Sequence, residues 1–210
     1  MFPPDPRPLL AHAAVVPVLT VERVEDAAPL ARALVAGGLP VIEVTLRTEA
    51  ALDAVRAMID AVPDAVVGIG TVTKIPDIRL ALAAGAKFLA TPGTPPSLAA
   101  ALAKAPIPAV PSCATVSEAM ALADLGFSVV KFFPAESCGG VGFLKAVAAP
   151  LPELRFFPSG GIDASNAQAY LALPNVIAVG GSWVAPKAAL AARDFAKITA
   201  LARAASAFRR

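Results

Sequence analysis

Short apolar runs rich in β-branched residues recur along this chain, and alanine-rich stretches of helical composition separate them. Strands that are apolar on both faces and joined by helices are typical of parallel sheets covered on both sides. The strand candidates are residues 15–21, 41–45, 66–70, 87–90, 108–111, 129–132, 155–158 and 177–180. These eight βα units predict an α/β fold, a compact (β/α)8 barrel of the TIM type.

The chain length of 210 residues fits one domain, and 57% hydrophobic content supplies enough apolar surface for a single core. We therefore expect residues 1–210 to form one barrel, with an N-terminal arm at about 1–13 and an outer helix over 188–207. An open doubly wound sheet is the alternative fold. It is disfavoured because the first predicted strand, with Pro17-Val-Leu-Thr-Val21, lacks the G-x-G-x-x-G turn of dinucleotide-binding sheets.

Charge and residue inventory exclude several classes of function. A net charge of +2, from 18 basic and 16 acidic residues scattered without basic blocks, argues against nucleic acid as a partner. No apolar stretch approaches the roughly 20 residues that span a bilayer, so we expect a cytoplasmic protein with no membrane partner. Cys113 and Cys138 are interpreted as reduced thiols. Because His12 is the only histidine, a histidine-based triad or a histidine-rich zinc site is excluded.

Three charged residues interrupt the apolar strands where the active site of a barrel is expected. Glu43 lies between Ile42 and Val44, Arg47 follows at the end of the same strand, and Lys131 has apolar neighbours on both sides. Burying an unpaired ammonium is costly, and loss of its proton leaves the neutral, nucleophilic amine that a Schiff-base lysine needs. An amine, a carboxylate and a guanidinium at neighbouring strand ends can together carry out carbonyl chemistry.

Structural roles for the same residues stay open. Lys131 can form a salt bridge with Glu43 or extend to a barrel end, and Glu43 can instead pair with Arg47. Thr71, which follows the third predicted strand, can donate its hydroxyl to a carboxylate bound by Arg47 or cap the next helix. Pro92 shapes a turn after the fourth strand and is a weaker candidate for a pocket wall.

Two glycine-rich turns, Pro158-Ser-Gly-Gly-Ile162 and Val179-Gly-Gly-Ser-Trp183, follow the last two predicted strands. In (β/α)8 enzymes these loops commonly bind phosphate, since exposed backbone N–H groups and a helix dipole favour an anion. One glycine pair is explained by a tight turn alone, but two pairs on successive strands, each with a serine, predict an anion site. The candidates are Ser159, Gly160, Gly161, Gly181 and Ser182.

Several segments resemble the bacterial family of 2-dehydro-3-deoxy-phosphogluconate (KDPG) aldolases, which also covers 4-hydroxy-2-oxoglutarate (KHG) aldolases. The most specific are Ile42-Glu-Val-Thr-Leu-Arg-Thr48 and Lys131-Phe-Phe-Pro-Ala-Glu136. The other matching segments are Ala36-Gly-Gly38, Val67-Gly-Ile-Gly-Thr-Val72, Thr91-Pro-Gly93, Ser159-Gly-Gly-Ile162 and Gly180-Gly-Ser-Trp183. The resemblance runs from about Val15 to the C-terminal helical segment, which is nearly the whole chain.

The resemblance implies a class I aldolase in which Lys131 forms a Schiff base with a 2-keto acid and Glu43 shuttles protons. The substrate contacts that it implies are Arg47 and Thr71 for the carboxylate, Pro92 and Phe133 for the pocket walls, and Ser159, Gly160, Gly161 and Ser182 for the phosphate. It further implies a homotrimer without metal or cofactor. Its small-molecule partners would be pyruvate and the phosphorylated 2-keto acid of the Entner–Doudoroff route.

Two departures from the family pattern stand out. Ser112 occupies a position where the resemblance predicts glycine, and Val15-Val-Pro-Val18 lacks an arginine that some relatives carry on the first strand. The nearest alternative function is the same chemistry on KHG, or decarboxylation of oxaloacetate, with the phosphate site idle. More distant alternatives are an isomerase or synthase without a covalent intermediate, and a phosphometabolite-binding protein in which Glu43 and Lys131 are merely paired.

Overall fold

The computed structural model describes residues 3–208, in which strands and helices alternate. The strands are β1 (Val15–Leu19), β2 (Val41–Thr45), β3 (Val66–Gly70), β4 (Leu89–Ala90), β5 (Ala109–Val110), β6 (Ser112–Cys113), β7 (Val129–Phe132), β8 (Arg155–Pro158) and β9 (Val179–Gly181). The helices are α1 (Arg7–Leu10), α2 (Ala27–Ala36), α3 (Ala51–Ala61), α4 (Ile75–Ala83), α5 (Pro96–Leu102), α6 (Val116–Asp124), α7 (Gly140–Ala148), α8 (Ala167–Leu171), α9 (Lys187–Ala191) and α10 (Phe195–Ser206). Short 3₁₀ helices cover Val24–Asp26 and Glu136–Cys138. Within the described part of the chain, no helix has the length and apolar character needed to cross a membrane.

The strands pair in parallel and close into a barrel. One sheet has the order β5-β4-β3-β2-β1-β9, and a second has the order β6-β7-β8. Only Pro111 separates β5 from β6, so these two segments occupy one strand position and join the two sheets. At the other seam, Ser159 pairs in parallel with Gly180, which brings the end of β8 against β9. The predicted (β/α)8 barrel is confirmed.

Side chains along each strand alternate between the barrel interior and the outer core beneath the helices. In β2, Ile42 and Val44 pack in the outer core, so Glu43 between them faces the interior. In β7, Val130 likewise packs outward, which places Lys131 inside. Both faces of these strands are buried, which explains why apolar runs without alternation predicted them correctly.

The amino end of the barrel is closed by the segment that precedes β1. In α1, Leu10 is fully buried and packs with interior residues that include Val16, Phe88 and Phe157. Residues 1 and 2 of the predicted N-terminal arm lie outside the described residues. Because this end is filled with apolar side chains, the polar interior residues lie toward the carboxyl ends of the strands.

The predicted strands at 41–45, 66–70, 129–132 and 155–158 coincide with β2, β3, β7 and β8. The fifth predicted strand, 108–111, ends too early, since pairing continues through β6. Pro111 has no N–H to donate, but its carbonyl oxygen accepts a hydrogen bond from the Lys131 N–H at 2.8 Å. The proline therefore interrupts the strand without ending it.

The single outer helix predicted over 188–207 is wrong, because two helices occupy this segment. Arg193 has a φ of 54°, a left-handed conformation that ends α9. The side chain of Asp194 then accepts a hydrogen bond from the Lys197 N–H at 2.9 Å and caps the start of α10. The break brings α10 onto α2 and leaves α9 close to the barrel mouth.

Candidate active site

A buried ion pair spans the barrel interior between β2 and β7, which occupy opposite strand positions. The Lys131 ammonium donates hydrogen bonds to both carboxylate oxygens of Glu43, at 2.8 Å to Oε1 and 3.0 Å to Oε2. The two side chains are only 5% and 1% exposed. Lys131, and not Arg47, is therefore the partner of Glu43. At these distances a proton can pass directly from the amine to the carboxylate.

The space for this pair depends on Gly70, the last residue of β3. An added Cβ at this position would overlap the Glu43 carboxylate and lie 2.6 Å from its Cδ. Since β2 and β3 pair in register along their whole length, neither strand can shift to make room. Gly70 is thus required by the position of the carboxylate rather than by its own backbone conformation.

Two aromatic rings lie near the Lys131 ammonium, and a thiol contacts the Lys131 backbone from outside the barrel. The Lys131 Nζ lies 5.8 Å from the ring centroid of Phe133 and 5.7 Å from that of Phe157. On the outer face of the same wall, the Cys113 thiol donates to the carbonyl oxygen of Lys131 at 3.6 Å. Burial raises the pKa of Cys113 to about 12, so at neutral pH this thiol is protonated and serves as core packing.

A cavity of about 370 Å³ opens at the carboxyl ends of β1, β8 and β9. Seven of the residues predicted from sequence line it: Arg47, Phe133, Ser159, Gly160, Gly161, Gly181 and Ser182. Phe133 connects the cavity to the ion pair, because its ring both lines the cavity and lies near the Lys131 ammonium. Arg47 is exposed and makes no ion pair with any residue between 3 and 208, so its guanidinium is available to an anionic ligand.

The glycines of the two loops allow close packing at the cavity wall. Gly160 and Gly161 have φ values of 96° and 79°, which side chains rarely adopt. A Cβ on Gly161 would lie 2.7 Å from the side chain of Glu136, and a Cβ on Gly181 would overlap the Trp183 ring. Glycine at these positions thus leaves the backbone of both loops facing the cavity.

The loop after β8 forms hydrogen bonds with the segment that follows Lys131. The Ala135 N–H donates to the carbonyl oxygen of Ser159 at 2.8 Å, and the Glu136 N–H donates to that of Gly160 at 3.1 Å. Tyr170 donates its hydroxyl to the Glu136 carboxylate from α8. Burial, together with this carboxylate, raises the pKa of Tyr170, which keeps the hydroxyl protonated as a donor. The two motifs that were recognised separately in the sequence therefore form one structural unit.

Lys187 is a cavity residue that the sequence reasoning missed. It begins α9, is exposed, and lines the same cavity as the two glycine-rich loops. None of the ion pairs within the described chain involves it. The signal was present, since Lys187 is the first cation after Trp183, but only the break at Arg193 makes a separate helix begin there.

Thr71 and Pro92 are not among the residues that line this cavity. They follow β3 and β4, which lie on the other side of the ion pair from β8 and β9. Thr71 has a φ of 60°, an uncommon conformation for a β-branched residue. The predicted site residues thus fall into two groups, separated by Lys131 and Glu43.

Comparisons with known proteins agree with this geometry. The family model described as "KDPG and KHG aldolase" matches residues 8–201. A 2-dehydro-3-deoxy-phosphogluconate aldolase from Dickeya dadantii is 48% identical over 95% of this chain and 93% of its own length. A KHG/KDPG aldolase from Escherichia coli K12 is also 48% identical, over 93% of this chain and 92% of its own length.

Solved structures give the same result. A KDPG aldolase from Legionella pneumophila, with pyruvate captured at low pH as a covalent carbinolamine intermediate, has a TM-score of 0.94 at 42% identity, covering 97% of this chain and 99% of that one. A 2-keto-3-deoxy-6-phosphogluconate aldolase from Zymomonas mobilis ZM4, with 3-phosphoglycerate, has a TM-score of 0.93 at 45% identity, covering 98% of this chain and 97% of that one. This chain therefore belongs to the KDPG and KHG aldolase family.

Proposed function

We propose that this chain is a single-barrel class I aldolase that cleaves 2-dehydro-3-deoxy-6-phosphogluconate into pyruvate and glyceraldehyde 3-phosphate. The observation that carries the proposal is the buried Lys131–Glu43 pair next to a cavity lined by Arg47 and two glycine-rich loops. The relatives named above supply the substrate class. In this chain Lys131 would be the nucleophile and Glu43 the general acid and base.

The first stage builds the covalent intermediate. Glu43 accepts a proton from the Lys131 ammonium, along one of the two hydrogen bonds that already join them. The neutral amine adds to the C2 ketone of the substrate and gives a carbinolamine. Protonated Glu43 then returns its proton to the departing C2 hydroxyl, which leaves as water. The products of this stage are an iminium ion on Lys131 and an ionised Glu43.

The second stage breaks the carbon–carbon bond. Glu43 removes the proton of the C4 hydroxyl, the bond between C3 and C4 breaks, and its electron pair moves into the iminium ion to form an enamine. Glyceraldehyde 3-phosphate leaves. Glu43 then protonates C3 of the enamine, and water hydrolyses the resulting iminium ion to pyruvate and the Lys131 ammonium. Each proton is taken up and returned by the same carboxylate, so the ion pair is restored.

The two ends of the substrate would bind to different residues around this pair. Arg47 and Thr71 would hold the carboxylate, with Pro92 and Phe133 as walls. The phosphate would lie against the backbone of the two glycine-rich loops, whose candidate residues are Ser159, Gly160, Gly161, Gly181 and Ser182. We add Lys187 to this end, since it brings a positive charge to the cavity beside both loops.

Cleavage of KHG is the second candidate function. The family description includes KHG aldolase, and the relative from Escherichia coli is named for both activities. In this chain Lys131, Glu43, Thr71 and Pro92 are separate from the loop residues proposed for the phosphate, whereas Arg47 and Phe133 line the same cavity as those loops. A substrate without phosphate can therefore use the first set and leave the second unoccupied.

We also propose that the enzyme is a cytoplasmic homotrimer, as the family resemblance implies. Large apolar side chains are exposed on α4 and α6 of the outer ring: Ile75 and Leu80 are each 48% exposed, and Met120 is 51% exposed. Burial of such side chains against a second copy is favourable. Sedimentation equilibrium should give three times the chain mass, and a monomer at micromolar concentration would reject the trimer.

The test of the proposed function is borohydride reduction in the presence of pyruvate, followed by peptide mass mapping. We expect a stable pyruvate adduct on Lys131 in the wild type and none in Lys131→Arg, which keeps the charge but lacks a nucleophilic amine. Circular dichroism on both proteins controls for folding. Absence of an adduct from folded wild type at saturating pyruvate would reject the class I mechanism and favour a non-covalent isomerase or a binding protein.

A further inference from the structure

Ser112 lies beside the proposed Schiff-base lysine on the interior wall of the barrel. It pairs in register with Lys131, because β6 and β7 are neighbouring parallel strands. Cys113, the next residue, packs in the outer core, so the alternation of a strand turns Ser112 inward. Residues paired in register project from the same face of a sheet, and Ser112 and Lys131 therefore share the interior.

The backbone of Ser112 is held by two threonine hydroxyls from the loop after β4. The Ser112 N–H donates to Thr91 Oγ1 at 2.8 Å and to Thr94 Oγ1 at 2.7 Å. Thr94 Oγ1 also lies 2.9 Å from the carbonyl oxygen of Ser112, to which it can donate. These bonds, together with the register to Lys131, fix the direction in which the Ser112 side chain leaves the strand.

The side-chain hydroxyl of Ser112 takes no part in these hydrogen bonds. Ser112 is only 3% exposed, and its Oγ has no hydrogen-bond partner among residues 3–208. Burying a hydroxyl without a partner is unfavourable, and most buried polar groups in folded proteins are paired. Because Ser112 is buried, bulk solvent does not supply this partner. A partner that arrives with the substrate would remove this cost.

The strand order indicates which part of the substrate that partner belongs to. Passing round the barrel, Thr71 follows β3, Pro92 follows β4, Ser112 lies on β6 and Lys131 lies on β7. The glycine-rich loops follow β8 and β9, beyond Lys131. Ser112 thus stands between Lys131 and the two residues Thr71 and Pro92, on the side of the ion pair away from the glycine-rich loops.

We propose that the Ser112 hydroxyl donates a hydrogen bond to a carboxylate oxygen of the pyruvate unit attached to Lys131. This inference rests on the proposed aldolase function and adds a substrate contact to it. A carboxylate is present in the substrate, in the enamine and in pyruvate, so the contact holds the same group through every step. It positions C2 and C3 of the pyruvate unit against Lys131 and Glu43.

The test uses Ser112→Ala and Ser112→Thr. In Ser112→Ala, loss of a hydrogen bond to a charged group should raise the pyruvate concentration for half-maximal borohydride trapping by about tenfold. In the synthetic direction KM for pyruvate should rise while KM for glyceraldehyde 3-phosphate stays unchanged. The loss in kcat/KM should be equal for substrates with and without phosphate. Ser112→Thr, which keeps the hydroxyl, should recover most of the pyruvate affinity.

Stability measurements separate this substrate contact from a purely structural role, in which Ser112→Ala would unfold more easily and bind pyruvate as wild type does. Removing an unpaired buried hydroxyl should leave the free energy of unfolding unchanged or increase it, so Ser112→Ala should be a stable protein with weak pyruvate binding. Cys113→Ala is the matched control, since it changes the next residue on the outward face and should leave pyruvate trapping unaltered. Wild-type trapping with an unchanged pyruvate dependence in Ser112→Ala would overturn this inference alone. Failure of wild type to trap pyruvate would overturn the proposed function itself.

Discussion

The two sides of the barrel mouth are built from different kinds of chemical group. Around Lys131 and Glu43, charged side chains project from the middle of strands into a buried interior, and register and close packing fix their positions. At the ends of β8 and β9, the wall is backbone with small side chains, and glycines with positive φ give it shape. The first region can transfer protons, whereas the second can only bind.

This difference predicts different consequences of substitution. A buried ion pair tolerates little change, because removing one charge leaves the other without compensation in a medium of low polarity. A loop that binds through several backbone N–H groups loses only part of its affinity when one side chain changes. Substitutions near the pair should therefore lower kcat, and substitutions at the glycine-rich loops should raise KM and alter the preference for phosphorylated substrates.

The largest effect is expected for Glu43→Gln. Without the general base, kcat for cleavage should fall by about 10²- to 10⁴-fold, since neither the C4 hydroxyl nor C3 has a proton carrier. The amine of Lys131 remains, so borohydride should still trap pyruvate on it, although slowly. Steady-state kinetics and trapping on the same sample measure both. A kcat within a factor of about three of wild type would mean that another group carries the protons.

A smaller effect on the same region is expected for Gly70→Ala. The new methyl group would displace the Glu43 carboxylate without changing any proposed reacting group, and such a misplacement should lower kcat by about 10- to 100-fold. Gly142→Ala is the matched control, because a Cβ there meets nothing within 4 Å and lies on the exposed part of α7. If both variants keep wild-type kcat, the position of the carboxylate does not depend on Gly70.

Sequence reasoning was more successful with the first region than with the second. Glu43 and Lys131 were identifiable because charge is rare inside apolar strands. Both side chains are buried in the structure, as the apolar neighbours of each residue predicted. That they pair with each other, and that Arg47 stays exposed, depends on the barrel closing with β2 opposite β7. No local pattern contains that information, because the two residues are 88 positions apart.

At the second region, short motifs identified the loops but not their surroundings. Ser159 and Gly160 were recognised as part of a turn, whereas Lys187, just before the helix predicted over 188–207, was not among the candidates. The strained φ of Arg193, which separates α9 from α10, has no signature in a segment so rich in alanine. In the first region, Ser112 was noted only as a departure from the family. Its backbone N–H donates to the hydroxyls of Thr91 and Thr94, which are 21 and 18 positions away, and no local pattern contains these contacts.

Lys187→Ala tests the second region, at the glycine-rich loops. Loss of an exposed cation should lower kcat/KM for the phosphorylated substrate by about three- to tenfold, and should leave KHG cleavage unchanged. The effect should shrink as salt is added, because exposed charges are screened. Lys104→Ala removes the same charge beyond the end of α5, at the opposite end of the barrel. Equal losses for both substrates would assign Lys187 to something other than phosphate binding.

The smallest effect concerns stability at Thr71, a residue on the side of the first region that combines a strained backbone with a proposed substrate contact. A β-branched side chain at a φ of 60° is strained, so Thr71→Asn, which tolerates this conformation, should raise the free energy of unfolding by about 1 kcal/mol. It should also weaken pyruvate binding if the hydroxyl contacts the carboxylate. Thr71→Val keeps the branching and removes the hydroxyl, so it should lose affinity without gaining stability. Chemical denaturation and pyruvate trapping separate the two effects. A Thr71→Asn variant that gains stability and keeps full affinity would show that the strain serves no substrate contact, and would confine the carboxylate site to Arg47 and the neighbouring wall.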